Sequence, residues 1–227
     1  MEDRVGVARV EVRYGDPPRQ EYRDLWVLRF ADDGRVEDYE KWAYWPGKLH
    51  WAPTRRRRRR DEGREVLIRP AAGHDWSSMW PFMRRIVADG ETYSYDRDLD
   101  SGEAKTMWML APPGHTVVAV DADSALVGTA KMHRNQGGPG SHVATASFMV
   151  DPERARRGTG RALGEYALAW ARSHGFSGMQ FNAVVETNTA AVNLWTSLGF
   201  SVIGTVPGAF RHPRHGDVGL HVMFRRL

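Results

Sequence analysis

The segment Val150 to Leu163, V-D-P-E-R-A-R-R-G-T-G-R-A-L, holds the densest chemistry in the chain. A β-rich run breaks there into an Arg/Gly turn and then into an amphipathic helix. Gly158 and Gly160 free backbone N–H groups at the helix start, and Arg154, Arg156, Arg157 and Arg161 surround them. Helix-start N–H groups lack internal partners and carry the positive end of the helix dipole, so such a cradle suits a pyrophosphate. Taken alone the turn has a plainer reading: tight turns take Gly for steric reasons, and Arg clusters are often solvated faces.

One helix and one turn downstream lies a second motif, Met179 to Phe200, M-Q-F-N-A-V-V-E-T-N-T-A-A-V-N-L-W-T-S-L-G-F. Asn182 falls in the middle of what reads as a buried strand, where an amide needs partners. Asn188 stands at a helix start, where it serves as an N-cap or as a ligand contact. Together the two motifs resemble the GCN5-related N-acetyltransferase (GNAT) superfamily, over residues 64–227. The resemblance implies that acetyl-CoA is the cosubstrate, that the Arg/Gly turn holds its pyrophosphate, and that the Asn-led helix flanks its pantetheine. It implies coenzyme contacts at Met149, Val150, Arg156, Arg157, Gly158, Thr159, Gly160, Arg161, Ala162, Asn188 and Trp195. Strand 142–150 is implied to splay from the next one and to expose backbone near Met149 and Val150. The Val150 N–H can then steady a developing oxyanion, an interaction worth about 3 kcal/mol in comparable sites. The wording around Asn182, Asn188 and Leu194-Trp195 is similar to a branch that acetylates proline analogues such as azetidine-2-carboxylate. In that branch the matching Asn residues lie by the acetyl group and the coenzyme, so Asn182 is expected at the substrate or thioester.

Two positions depart from the family pattern. Without gaps from Pro152, the signature Arg/Gln falls on Ala155 and the Gly after it on Arg156, while Gly158, Gly160 and Leu163 align. A shift of two residues instead matches Arg157, Gly160 and Ala162. In the gap-free register Arg154 or Arg156 replaces the missing Arg. Trp195 stands where many members carry a Tyr that protonates the departing thiolate, and an indole N–H donates a hydrogen bond without giving up its proton near neutral pH. Tyr93 and Tyr95 are the candidate replacements, with ordinary aromatic packing as the alternative. The expected catalytic set is therefore Asn182, Tyr95 and Val150.

On the acceptor side the stretch Pro207 to His215 reads as a closing loop. Arg211 could hold a carboxylate there, and His212 or His215 could relay a proton. The expected substrate contacts are Tyr93, Phe210 and Arg211. His142, Glu165 and Glu186 are weaker candidates for a general base. The histidines lack metal-ligand spacing, so no metal is expected.

The elements that position these residues read as an αβ layered fold with a mixed, mostly antiparallel central sheet. A strand at 65–69 is followed by helices at 74–88 and 101–110, with Trp76, Met79, Trp80, Met83 and Val87 on the apolar face of the first. Strands at 116–121, 126–133 and 142–150 come next. A helix carrying Leu163, Tyr166, Ala167 and Trp170 stops at Gly175, and a strand at 179–185, the helix from Asn188 and two last strands complete the order. Ahead of this domain, residues 1–48 alternate apolar and polar over 4–12, 22–30 and 35–45, a short antiparallel β meander. Their wording resembles the closing strands of an NTF2-like (SnoaL-like) domain, and we expect a partial remnant with no catalytic role.

Composition bounds the function. Of 32 basic residues six form the run Arg55 to Arg60, and the remaining 26 against 28 acidic leave a net −2. The basic balance is thus a local run within a linker at 49–63, and a nucleic-acid partner is disfavoured. Zero Cys excludes an acyl-Cys intermediate and Cys-ligated zinc, so acyl transfer is direct or passes through another nucleophile. No apolar run approaches the ~20 residues of a membrane helix, the first residues lack the apolar core of a secretory signal, and Arg dominates Lys. A cytoplasmic bacterial enzyme without a membrane partner is expected, and a homodimer is allowed. The expected activity is acetyl transfer from acetyl-CoA to the amine of a small molecule or amino acid, by direct attack in a ternary complex. The competing readings are an acyl-CoA-binding module that has lost turnover, a nucleic-acid binder led by the Arg run, and a protein N-acetyltransferase with an open peptide groove.

Overall fold

The computed structural model describes strand residues 5–14, 20–30 and 36–44 together with residues 66–154 and 158–227. The Arg55 to Arg60 run and the linker around it, as well as Ala155, Arg156 and Arg157, lie outside the described residues. Chain contacts divide the protein into units Met1–Glu62 and Gly63–Leu227. The first unit holds β1 (Val5–Tyr14), β2 (Gln20–Phe30) and β3 (Val36–Tyr44), an antiparallel meander registered through Val12↔Tyr22 and Arg23↔Tyr44.

The second unit runs β4 (Leu67–Pro70), α1 (Trp76–Asp89), α2 (Ser101–Trp108), β5 (His115–Val120), β6 (Leu126–Arg134) and β7 (Val143–Val150). It continues with α3 (Thr159–Ser173), β8 (Gly178–Val185), α4 (Thr189–Ser197), β9 (Ser201–His212) and β10 (Gly216–Arg226). Its seven strands lie in the order β4-β5-β6-β7-β8-β10-β9. Every neighbouring pair is antiparallel except β7–β8, which is parallel and hydrogen-bonded only through Val143↔Gly178 and Ala144↔Met179. Beyond those two pairs the strands part.

Period-two alternation gives the sheet two distinct faces. Ala130, Met132, Ala144 and Ala146 join Leu163, Ala167 and Trp195 of α3 and α4 in one core. Val118 and Met149 join Trp76, Met79, Phe82, Met83 and Trp108 of α1 and α2 in the other. Trp80 is partly buried, packed on that core and stacked on Trp76 at 5.7 Å, and Phe82, which the sequence pattern left out, is buried with them. Pro81 is the sixth residue of α1 and removes the N–H that would otherwise bond the Ser77 carbonyl.

Close approach of α3 to α4 depends on Gly164. A Cβ there would lie 2.7 Å from Leu198 Cδ1 and 2.9 Å from Trp195 Cζ3. At the head of α1, Arg69 donates two hydrogen bonds of 2.7 Å to the Asp75 carboxylate, and the Ala72 N–H adds a third. The Arg69 guanidinium thereby holds the Asp75 carboxyl down to about 2.

Two outcomes are expected. Gly164→Val overpacks the α3–α4 contact by about 1–3 kcal/mol and lowers Tm by about 2–10 °C, read by thermal circular dichroism. Asp75, depressed from its unfolded value near ~3.9, contributes stability that is complete above that pH and fades as pH falls toward 2. Asp75→Asn should therefore lower stability at neutral pH and flatten the acid limb of a stability-versus-pH curve; an unchanged limb would assign acid lability elsewhere.

Candidate active site

The Arg/Gly turn is pinned before it reaches the helix. Arg85 of α1 donates to Asp151 at 3.0 Å and to Glu153 at 2.6 Å, and Arg154 donates to the buried Asp121 at 2.7 Å. Arg154 is thus committed to an ion pair, and Arg156, the other candidate replacement for the signature Arg, lies outside the described residues. Gly158 takes φ +79 at the N-cap of α3, a conformation natural to Gly. Gly160 has little room, since a Cβ would lie 3.3 Å from Leu194 Cδ2. The first intrahelical bond is Ala162 N–H to Gly158 O, so the N–H groups of Thr159, Gly160 and Arg161 point out of the helix end. Thr159 Oγ1 is buried there with no hydrogen-bond partner among the described residues, and so is Thr187 Oγ1 beside the head of α4. Arg161 lies across to α4, donating to Ser197 Oγ at 2.6 Å and pairing with Glu165 at 3.5 Å.

The open edge of β7 forms the middle of the site. Asp151 donates its N–H to Val127 on β6. By strand alternation the backbone groups of Phe148 and Val150 therefore face the gap toward β8. Tyr93, from the loop after α1, fills part of that gap: its Oη donates to Phe148 O at 2.5 Å and accepts from Phe148 N–H at 3.1 Å. One phenol thus replaces the strand partner that β8 withholds. Val150 lies one step further along the same edge, beyond the last β7–β8 pair.

Burial raises the Tyr93 hydroxyl well above its ordinary value, and the Tyr95 hydroxyl adds to that shift. Burial also raises Tyr95. Both phenols are therefore neutral donors at physiological pH. Tyr95 stacks on Tyr93 at 5.4 Å and turns into an apolar recess of about 10 Å³ with Trp80, Met83, Trp108 and Met149. That is room for about one water and no more. The hydroxyl on the gap is Tyr93, and Tyr95 backs it.

Trp195 enters the gap from the opposite face. Its ring lies 4.6 Å from Phe148 on β7 and 4.9 Å from Phe181 on β8, wedged between the parting strands. Asn182 is not buried as the sequence pattern implied. The β8–β10 register slips between Val184↔His221 and Phe181↔Met223, so Asn182 and Ala183 together oppose Val222, and Asn182, on the face of Gln180 opposite Phe181, is exposed. The amide finds its partners at the surface: it donates to Asn135 Oδ1 at 2.7 Å and accepts from Gln180 at 2.8 Å. Asn188 caps α4 by accepting the Ala191 N–H at 3.1 Å. Glu186 accepts the Gly219 N–H at 2.6 Å, which ties the end of β8 to β10.

Pro207 to His212 is the last part of β9 and not a loop; only the turn after it is irregular. Phe210 is buried against Val185 and Val218, and Arg211 is exposed and paired with Asp217 at 3.3 Å. The residue that reaches the Tyr93 loop is Arg214, donating to Glu91 at 2.7 Å, a contact that no local sequence signal separates from its neighbours Arg211 and His215. Among the described residues no group of three His, Asp or Glu side chains converges.

Residues 78–200, more than half of the chain, match the acetyltransferase (GNAT) family. The chain belongs to that family. A GCN5-related N-acetyltransferase from Kribbella flavida is 55% identical and overlays with a TM-score of 0.70, over 71% of this chain and 98% of its own. N-acetyltransferase aca1 of Schizosaccharomyces pombe is 27% identical over 153 residues, 61% of this chain and 73% of the relative. A phosphinothricin acetyltransferase from Sinorhizobium meliloti, solved in complex with AcCoA, shares the fold at 21% identity and a TM-score of 0.65, over 71% of this chain and 88% of its own. This GNAT chain is accordingly an N-acetyltransferase by family, with the mixed seven-stranded sheet that the resemblance implied.

Tyr93→Phe should leave the Phe148 N–H and C=O without partners in a half-buried place, a loss of about 1–3 kcal/mol for each group. Hydrogen exchange of the Phe148 amide should accelerate well beyond that of its β6-facing neighbours. Unchanged exchange would mean that another group closes the edge.

Proposed function

We propose that the chain transfers the acetyl group of acetyl-CoA directly to the amine of a small molecule or an amino acid. The observation that carries this reading is the edge of β7 from Phe148 to Val150 that β8 leaves open, near the N–H-rich start of α3. Acetyl-CoA supplies an acetyl group activated as a thioester. The residues present suit it: the N–H groups of Thr159, Gly160 and Arg161 and the orphan Thr159 hydroxyl for the pyrophosphate, with Arg156 and Arg157 close before them in sequence, and the open strand edge for pantetheine amides.

The Val150 N–H faces the gap as a donor for an oxyanion that forms there. Tyr93 Oη and the Trp195 ring bound the gap on its two sides, and the single Tyr93 proton, held by Phe148 O, reaches a departing thiolate only by leaving that carbonyl. With no Cys in the chain, direct attack is the simplest route. The attacking amine must be neutral, which an α-amino group of pKa ~8 reaches more easily than a lysine of ~10.4. The Arg214–Glu91 contact joins the β9–β10 turn to the Tyr93 loop and narrows the acceptor side, which favours a small acceptor over a peptide.

Acetyl-CoA at about 100 times its Kd should stabilise the protein by about 2.7 kcal/mol, a Tm rise of about 5–11 °C. Thiol release should then follow for some amine in a panel that includes proline analogues and peptides with free N-termini. No stabilisation at saturating acetyl-CoA sinks the reading, and release with peptides alone reassigns the acceptor to protein.

A further inference from the structure

Lys131 is the one lysine that the fold buries among the described residues, 9% exposed, and no carboxylate pairs with it there. It lies on the α1/α2 face of β6, its Nζ 2.9 Å from Met107 O and 5.1 Å from the centre of the Trp108 ring. The carbonyl takes one of three ammonium protons, and an aromatic face compensates a buried charge only in part. Burial accordingly lowers the Lys131 pKa. A cation stripped of water without an anion is costly to keep, and a bound anion would relieve the cost.

Its surroundings adjoin the open edge of β7. Lys131 is registered directly opposite Ser147 on β7, the residue next to Phe148. Thr145 and Ser147 share its face, and neither hydroxyl has a hydrogen-bond partner among the described residues. The Trp108 ring that Lys131 Nζ overlies also meets Tyr93 edge-on at 6.3 Å, so the ammonium and the Tyr93 phenol share one aromatic neighbour. Past β7 on the same face, Asn182 and Gln180 continue the polar floor.

We propose that Lys131, with the Ser147 and Thr145 hydroxyls, binds the carboxylate of the acceptor and so makes this acetyltransferase select amines that carry one. The proposal rests on the acetyl-transfer reading above and names the acceptor class within it. Lys131 is a specificity residue, since the bond-making atoms lie at the β7 edge and not at its ammonium. The plainer role, holding the end of α2 through Met107 O, predicts no difference between acceptors.

Matched pairs separate the two roles: alanine with ethylamine, and proline with pyrrolidine. The wild type should acetylate the acid of a pair in preference to the bare amine. Lys131→Met should lower kcat/KM on the acid about 10- to 100-fold, mostly through KM, with less than about threefold change on the amine, and Lys131→Arg should restore part of the loss. Equal losses on both members, or a wild type indifferent to the carboxylate, would overturn the proposal. Calorimetric titration of each acid into CoA-loaded protein gives a second readout independent of turnover: weaker binding in Lys131→Met supports the site, and equal binding refutes it. Absence of thiol release with every amine would count against the transfer reading alone, while the titration would still decide Lys131.

Discussion

The parting of β7 from β8 is the constraint on which the rest of the molecule depends. Two parallel strands that pair through only two residues would normally close or fray, because every buried N–H and C=O seeks a partner. Here the gap is held open from both faces. On one side Trp195 is wedged between Phe148 and Phe181; on the other the Tyr93 phenol satisfies both backbone groups of Phe148. Leaving those two groups unmet would cost about 1–3 kcal/mol each, so the tyrosine removes much of the drive for β8 to swing back. The cleft is a packed and hydrogen-bonded feature of the fold.

The same wedge accounts for the small residues around it. Trp195 reaches the gap because α4 comes down on α3, and α3 can accept it because Gly164 presents no side chain there. One turn earlier, Gly160 meets Leu194 of the same helix, and Gly128 of β6 meets Thr159 and Leu163. The helix that offers its N–H groups at the turn is thus seated by glycine contacts along its inner side. Gly158 has a different task, the left-handed cap with open space around it. Two glycines two residues apart therefore serve unrelated physical needs, one of backbone angle and one of packing.

These needs explain what was legible in the sequence. Alternation and helical spacing identify the strands and helices, and the Arg/Gly turn and Asn-led segment together point to the family, because local geometry dictates those residue types. Side-chain destinations are less legible. Asn182 reads as buried from its apolar neighbours, yet it shares the face of Gln180, opposite the buried Met179 and Phe181, and that face of β8 is left uncovered there. Arg154 reads as a phosphate ligand, yet Asp121, 33 residues earlier, claims it. Arg211 and Arg214 are equivalent in sequence, and only the hairpin turn decides which of them meets Glu91. Each miss is a tertiary arrangement that overrides a local expectation.

Lys131 belongs with these cases, and it shows how the two faces of the sheet divide the work. The α3/α4 face meets the gap with aromatic rings and a helix start, suited to a long ligand with a charged end. The α1/α2 face meets it with a phenol, two unused hydroxyls, an amide chain and a buried ammonium. Of these groups the buried ammonium is the costly one in an empty protein, and an anion laid over it would offset that cost. An acceptor with its own charge would make that face an asset, whereas a purely apolar amine would leave the ammonium uncompensated. Selectivity on this face would then arise from the penalty of mismatch, which a buried charge imposes more sharply than a hydrophobic wall can.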